Sequence, residues 1–245
     1  MQSKAILIHG WDLNYYNSKI PENTGEGIAW SHRSALIEGL SQNFDINYYN
    51  LPGFAGNPEP DAKLYDVENF AKNFSKWKNE NVSDSALIVG YSFGGAVALM
   101  HKVLTKDPTP TILISPAIFR GESLRSDAGR ITKNLVPDIW ESQLRHLYQL
   151  FASQYYREGT PFLRNTYNCV VRRDLRYLLD EVDPSGIFLI YGEKDTDTPW
   201  DLVKEDVERN SIGYHVIGSG AHNIGQTHPV EILEQISRLH LPPRY

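Results

Sequence analysis

The stretch ALIVGYSFGGAVALM, residues 86–100, decides the fold of this 245-residue chain. Its apolar first part is typical of a buried β-strand, and its small apolar second part is typical of a helix. Ser92 stands at the turn between the two parts, with Gly90 and Gly94 two residues away on either side. This spacing is that of a nucleophile turn, in which a strained serine requires small neighbours. Ser92 is therefore predicted to be a catalytic nucleophile, and the alternative is a glycine-rich turn without chemistry.

A serine nucleophile needs a base, and the base needs an acid that orients it. The apolar run at residues 187–191 predicts a strand, and the loop after this strand contains Asp195 and Asp197. Residues 214–217 predict another strand, and a glycine-rich loop with His222 follows it. Active sites of open α/β sheets form at this carboxyl edge. His222 is predicted to be the base and Asp195 the acid. Asp197 remains a rival acid, although its expected role is to cap the next helix.

Acyl transfer also requires two backbone N–H donors for the developing oxyanion. Phe93, directly after the nucleophile, supplies one of them. A strand predicted over residues 4–8 is followed by His9, Gly10 and Trp11. The glycine allows close approach of the backbone, so that the Trp11 N–H supplies the second donor. His9 is expected to brace this loop by hydrogen bonds and not to act as a base.

Five short motifs in their order along the chain resemble those of the α/β-hydrolase superfamily. They are HGW (9–11), LPGF (51–54), GYSFGG (90–95), GEKD (192–195) and GAH (220–222). The resemblance covers most of the chain and implies a serine hydrolase that forms an acyl-enzyme. The pair HGW and LPGF is similar to carboxylesterases that include the pimeloyl-carrier-protein methyl esterases. One departure is Asn50, where the family often has aspartate, and it removes no catalytic group.

The predicted architecture is a single α/β domain, residues 1–245, with strands and helices in alternation. The resemblance implies an α/β-hydrolase fold, here with six parallel strands in the order 2-1-3-4-5-6 and helices on both faces. The family's usual leading antiparallel strands are expected to be missing, because only eight residues precede His9. In this order the connections reverse between the strands that carry Trp11 and Ser92, which is the topological switch point. The predicted strands are 4–8, 45–49, 86–90, 111–115, 187–191 and 214–217.

An insertion at residues 117–180 is longer than one crossover helix requires. By the resemblance it is a small helical cap over the serine. Three arginines, Arg172, Arg173 and Arg176, are interpreted as a solvated helix face, with contact to a substrate carboxylate as the alternative. For the loop 11–30, a rim over the acyl pocket and simple packing on the domain both stay open. The side chains predicted to bind substrate are aromatic: Trp11, Tyr91, Phe119, Tyr148 and Phe151.

Composition restricts the function classes. The chain has 24 basic and 30 acidic residues, and a net charge of −6 argues against binding of nucleic acid or anionic membranes. Cys169 is the single cysteine, so no intramolecular disulfide, zinc cluster or other metal site is expected. No signal peptide or apolar run of membrane-spanning length is apparent, which favours a cytoplasmic protein. The sequence gives no indication of the oligomeric state.

The predicted reaction is hydrolysis of a small-molecule carboxylic ester with a small or medium acyl group, without a cofactor. Hydrolysis of thioesters, lactones and amides uses the same nucleophile, base and acid. So do C–C bond hydrolysis and perhydrolysis on this fold. A different class of function is a non-catalytic binding protein that retains the fold.

Overall fold

Six parallel strands form one sheet in the order β2-β1-β3-β4-β5-β6, which confirms the predicted fold. The structure, a computed structural model, describes residues 2–21, 24–119 and 157–239. Each bound of each strand differs from the predicted one by one residue at most. The strands are β1 Ser3–Ile8, β2 Phe44–Tyr49, β3 Leu87–Tyr91, β4 Thr111–Ile114, β5 Ile187–Gly192 and β6 Gly213–Ile217.

Helices connect the strands, and none within the described ranges has both the length and the apolar character needed to cross a membrane. The α-helices are α1 Ser34–Ser41, α2 Val67–Asn81, α3 Phe93–Thr105, α4 Pro161–Val170, α5 Lys204–Arg209, α6 Ile224–Thr227 and α7 Pro229–Arg238. The 3-10 helices are Leu13–Tyr15, Ile28–Arg33, Arg176–Asp180, Pro184–Gly186 and Trp200–Leu202.

The centre of the sheet is buried. β1 pairs with β2 on one side and with β3 on the other, so that Ile8 lies beside both Tyr49 and Gly90. Every residue of β3 and β4 is buried, as expected for parallel strands covered by helices on both faces. The connections reverse direction at β1, and the loops after β1 and β3 therefore face each other across the carboxyl edge of the sheet.

Close packing of α3 against the sheet depends on the glycines of the turn. A Cβ atom on Gly90 would lie 2.6 Å from the carbonyl oxygen of Gly94. A Cβ atom on Gly94 would collide with the Ile8 carbonyl oxygen of β1. Any larger residue at either position would push the start of α3 away from the strands. The helix begins directly at Phe93 and is buried through Val103, so the position of Ser92 is fixed by the core.

Candidate active site

Ser92 occupies the turn between β3 and α3 in a strained backbone conformation, with φ 51° and ψ −117°. For a residue with a side chain, such a conformation costs about 1–3 kcal/mol and persists only where the surroundings enforce it. Here the Ser92 N–H donates to the Ile114 carbonyl at 2.9 Å, and the Ser92 carbonyl accepts from the Ala117 N–H at 2.9 Å. The turn is thus tied to β4, and the serine side chain lines a cleft.

His222 connects Ser92 to Asp195. Its Nε2 lies 3.0 Å from the Ser92 Oγ, and its Nδ1 lies 2.9 Å from the Asp195 Oδ2. The imidazole is 26% exposed, whereas the carboxylate of Asp195 is completely buried. An ionised carboxylate can only accept, so Nδ1–H donates to Asp195 and leaves Nε2 free to take a proton from Ser92. The three residues predicted from the sequence therefore lie in one line of hydrogen bonds.

The carboxylate of Asp195 is held by the loop that follows β5. Its Oδ1 accepts from the N–H groups of Asp197 and Thr198, each at 2.9 Å, and its Oδ2 accepts from the Thr198 Oγ1 at 2.8 Å. Burial raises the pKa of Asp195, but hydrogen bonds and charge from His222 and hydrogen bonds from Thr198 outweigh burial and lower it overall. The carboxylate is therefore ionised at neutral pH.

The expectation that Asp197 caps the following helix is wrong. The 3-10 helix Trp200–Leu202 begins after Pro199, and no side chain caps it. The Asp197 side chain is exposed and lines the cleft. Asp195 itself binds the backbone of this loop, so one carboxylate contacts both His222 and the turn. Sequence reasoning missed Thr198, because its hydroxyl reaches Asp195 only through the folded loop.

Tyr91 fixes the backbone of the histidine loop. The Tyr91 hydroxyl donates to the His222 carbonyl at 2.5 Å and lies 3.5 Å from the Gly225 N–H. Burial raises the pKa of this phenol, so it stays protonated and can donate. Tyr91 borders the cleft, as predicted for a substrate-binding residue, but it is only 1% exposed and its hydroxyl already has partners.

The loop after β1 approaches the serine closely. A Cβ atom on Gly10 would lie 3.0 Å from the Ser92 Cβ. His9 braces this loop as predicted, since its Nε2 accepts from the Leu51 N–H at 3.0 Å and its Nδ1–H donates to the Gly10 carbonyl at 2.7 Å. Burial is the main cause that lowers the pKa of His9 to about 4, so this histidine is neutral and suited to both contacts.

Trp11 and Phe93, the predicted oxyanion donors, both line the cleft beside Ser92. Among the described residues, neither of their N–H groups donates to a protein acceptor. Their side chains are in edge contact, with ring centroids 5.5 Å apart. Both residues therefore border the cleft with backbone N–H groups that have no acceptor among the described residues.

The cleft has a volume of about 430 Å³. Tyr167 of α4 closes one side, with its ring centroid 5.6 Å from that of Trp11. Phe119 does not line the described cleft, because its ring packs against the Arg176 guanidinium at 4.6 Å. Tyr148 and Phe151 lie outside the described residues. Of the predicted substrate-binding residues, the structure thus places Trp11 and Tyr91 at the cleft and not Phe119.

The loop 11–30 serves both of the roles left open by the sequence. Residues 11–14 line the cleft, whereas Tyr15, Tyr16 and Trp30 are buried in the core. An isolated antiparallel bridge between Tyr16 and Phe54 holds the loop against the domain. The first part of the loop is thus a rim, and the remaining aromatic side chains anchor it.

The arginines near the end of the insertion have surface partners. Arg173 pairs with Asp66 at 3.3 Å and Arg176 with Asp174 at 2.7 Å. Arg172 is exposed. The predicted solvent exposure thus holds, but the predicted helix face is wrong, because α4 ends at Val170 and only Arg176 lies in a helix, the 3-10 helix Arg176–Asp180. A different arginine, Arg33, lines the cleft, and no motif in the sequence indicated it.

A second set of Ser, His and Asp side chains lies away from the cleft. The Ser75 Oγ is 2.7 Å from the His101 Nδ1, and the His101 Nε2 is 2.9 Å from the Asp107 Oδ2. His101 is only 3% exposed, and Lys78 also pairs with Asp107 at 3.0 Å. None of these residues lines the cleft. Ser75, His101 and Asp107 therefore share the hydrogen-bond pattern of Ser92, His222 and Asp195, but they do not line the cleft.

One group of side chains in the described ranges has the donor chemistry for a metal ion. Ligand atoms of Asp195, Asp197 and His222 lie within 4.8 Å of one another. The Asp195 oxygens and His222 already bind each other and Thr198, so only the exposed Asp197 carboxylate is uncommitted. The arrangement fits proton transfer better than metal binding.

The profile of the alpha/beta hydrolase family matches residues 5–235 of the chain. A pimeloyl-[acyl-carrier protein] methyl ester esterase of Pseudoalteromonas atlantica is 31% identical to it over 147 residues. That match covers 55% of the chain and 49% of the relative, so it spans about half the length of the curated relative.

Solved structures share the fold at low sequence identity. An alpha/beta hydrolase fold protein from Burkholderia ambifaria has a TM-score of 0.67 at 13% identity, over 96% of this chain and 90% of that one. A bromoperoxidase from Bacillus anthracis has a TM-score of 0.64 at 16% identity, over 98% of this chain and 92% of that one. A structure from a study of carboxylesterases of Nitrososphaera gargenis has a TM-score of 0.63 at 16% identity, over 97% of this chain and 89% of that one.

Proposed function

The chain belongs to the alpha/beta hydrolase family, and we propose that it hydrolyses carboxylic esters through an acyl-enzyme on Ser92. The observation that carries this proposal is the unbroken line of contacts from the Ser92 Oγ through His222 to the buried carboxylate of Asp195. This line ends at a cleft of about 430 Å³ that Ser92 lines. A nucleophile, a base and an orienting acid in hydrogen-bond contact form the arrangement needed for acyl transfer.

In the proposed mechanism the Ser92 Oγ attacks the ester carbonyl carbon, and its proton passes to the His222 Nε2. The carbonyl oxygen becomes an oxyanion that accepts from the Trp11 and Phe93 N–H groups. Collapse of this intermediate breaks the C–O bond, and the leaving alkoxide takes the proton from His222. Water then attacks the acyl-enzyme with His222 as base, which releases the carboxylic acid and restores Ser92.

The proposed substrates carry small or medium acyl groups. The described cleft is bordered by aromatic rings, Trp11, Phe93 and Tyr167, which favour an apolar acyl chain of limited length. The curated relative is named for the methyl ester of a pimeloyl group, and an acyl group of that length falls in this size range. We also propose that residues 117–180 form a cap over the serine. In support, Tyr167 of α4 lines the cleft, and so does Val171, the residue that follows the end of α4.

A chain-length series of p-nitrophenyl esters, acetate through decanoate, tests the proposal. We expect turnover of the short and middle members and a decline for the longest, because a cleft of about 430 Å³ limits the acyl chain. An organophosphonate probe should label Ser92 alone, as read by mass spectrometry of the labelled peptide. Absence of turnover on every ester, together with an unlabelled Ser92, would instead indicate a binding protein that retains the fold.

Replacement of Tyr91 by phenylalanine should lower kcat about tenfold and change KM little. The Tyr91 hydroxyl holds the His222 carbonyl at 2.5 Å, and loss of a buried hydrogen bond costs on the order of 1–3 kcal/mol. The histidine would then sample positions away from Ser92. Tyr214→Phe is the matched control, because that exposed hydroxyl bonds to Glu208. Equal losses in both variants would refute a positioning role for Tyr91.

A further inference from the structure

Arg33 is a cation that lines the same cleft as Ser92 and His222. It is the last residue of the 3-10 helix Ile28–Arg33. In the parts of the chain that the structure describes, Arg33 contacts the Ala29 carbonyl, the rings of Trp30 and Tyr91, and the Tyr91 hydroxyl, and none of these partners is a carboxylate. We propose that Arg33 binds an anionic group on the substrate, so that the enzyme prefers esters whose acyl chain ends in a carboxylate. This inference rests on the proposed esterase function.

The Arg33 guanidinium is held by two aromatic rings, and within the described residues none of its N–H donors binds a carboxylate. Its central carbon lies 4.1 Å from the Tyr91 ring centroid and 5.7 Å from that of Trp30, which is cation–π geometry. The Arg33 Nη1 makes one long contact of 3.4 Å with the Ala29 carbonyl, and the buried Nε has no hydrogen-bond partner among the described residues. Arginine presents five N–H donors in a planar fork that matches a carboxylate.

Two arginines near the end of the insertion differ from Arg33 in their partners. Arg173 and Arg176 have carboxylate partners at the surface and are therefore already neutralised. All three arginines are partly exposed, so Arg33 differs from the other two in lacking a carboxylate partner among the described residues. A cation in this position gains from a ligand that brings the missing negative charge.

Two acidic residues also border the cleft, and they limit which anions bind. The Asp12 carboxylate accepts from the backbone and side-chain nitrogens of Asn14, at 2.9 and 3.0 Å. Asp197 is exposed near His222. Both repel an anion at a distance, so recognition requires direct contact with the Arg33 fork. Activity should therefore depend on the number of methylenes between the ester carbonyl and the terminal carboxylate.

The test compares mono-p-nitrophenyl esters of dicarboxylic acids, glutarate to suberate, with neutral p-nitrophenyl esters of equal chain length. Arg33→Met keeps an unbranched apolar stem without the charge, and Arg33→Lys keeps the charge without the fork. We expect Arg33→Met to lower the ratio of kcat/KM for the acidic ester to that for the neutral ester by about 10- to 100-fold. Arg33→Lys should lower this ratio less than Arg33→Met does. Arg209→Met, an exposed arginine on α5, controls for the change in net charge.

Two results would overturn the inference. The first is an unchanged ratio in Arg33→Met, and the second is an equal loss on both esters, which would mean that Arg33 only supports the Tyr91 ring. If the wild type hydrolyses no ester at all, the proposed function fails and Arg33 is tested separately. Calorimetric titration with adipate then decides, since binding by the wild type that is lost in Arg33→Met supports the anion site. Equal binding, or none, in both proteins refutes it.

Discussion

Replacement of Ser92 by alanine is expected to lower kcat for p-nitrophenyl esters by about 10⁴- to 10⁶-fold. The variant loses the atom that attacks the carbonyl, and no other hydroxyl in the described chain contacts His222 Nε2. The fold should survive, because His222 is the one hydrogen-bond partner of the Ser92 Oγ among the described residues, and the backbone bonds to Ile114 and Ala117 that hold the turn are unaffected. The measurement is kcat on the best ester of the chain-length series, with the melting temperature recorded in parallel.

Ser75→Ala is the matched control for this variant. Ser75 also contacts a histidine, His101, which in turn contacts an aspartate. These residues lie outside the cleft, so the control should retain wild-type kcat even if its melting temperature falls. If Ser92→Ala retains more than about one hundredth of the wild-type kcat with an unchanged melting temperature, the nucleophile is another group or water. The acyl-enzyme proposal would then be wrong.

Elements with a dense local pattern were predictable from the sequence. β3 and α3 are fixed by an apolar run, a glycine-flanked serine and a run of small residues within 86–100. The order of the strands follows from the alternation of elements and the resemblance of five short motifs to one family. The proximity of Ser92, His222 and Asp195 was predictable, because each follows a strand and parallel strands bring their carboxyl ends to one edge.

Contacts that depend on the positions of distant side chains were not predictable. Nothing in the sequence near Arg33 shows that its guanidinium lies over the Tyr91 ring, 58 residues later in the chain. The capping role expected of Asp197 failed for a local reason, because Asp195 accepts both N–H groups of the turn. Phe119 was expected in the pocket from its aromatic character alone, and its ring instead contacts Arg176.

Asp195→Asn is expected to lower kcat by about 10³- to 10⁴-fold, whereas Asp197→Asn should change it less than about threefold. In Asp195→Asn the amide oxygen can still accept the N–H groups of Asp197 and Thr198, so the loop should keep its shape. The amide nitrogen then faces the His222 Nδ1 and donates to it. This forces the proton onto Nε2, which can no longer accept from Ser92. The paired measurement is kcat for both variants on one ester, at one pH.

Asp197 is the stringent comparison because it lies close enough to His222 to be a rival. Its carboxylate is within 4.8 Å of ligand atoms of both His222 and Asp195, yet it is exposed and has no hydrogen bond to the imidazole in the described structure. A charge at this distance in water contributes little, whereas the buried Asp195 carboxylate sets the tautomer of the base. A severe loss in Asp197→Asn beside a nearly active Asp195→Asn would reverse the assignment, since the orienting acid would then be the exposed residue.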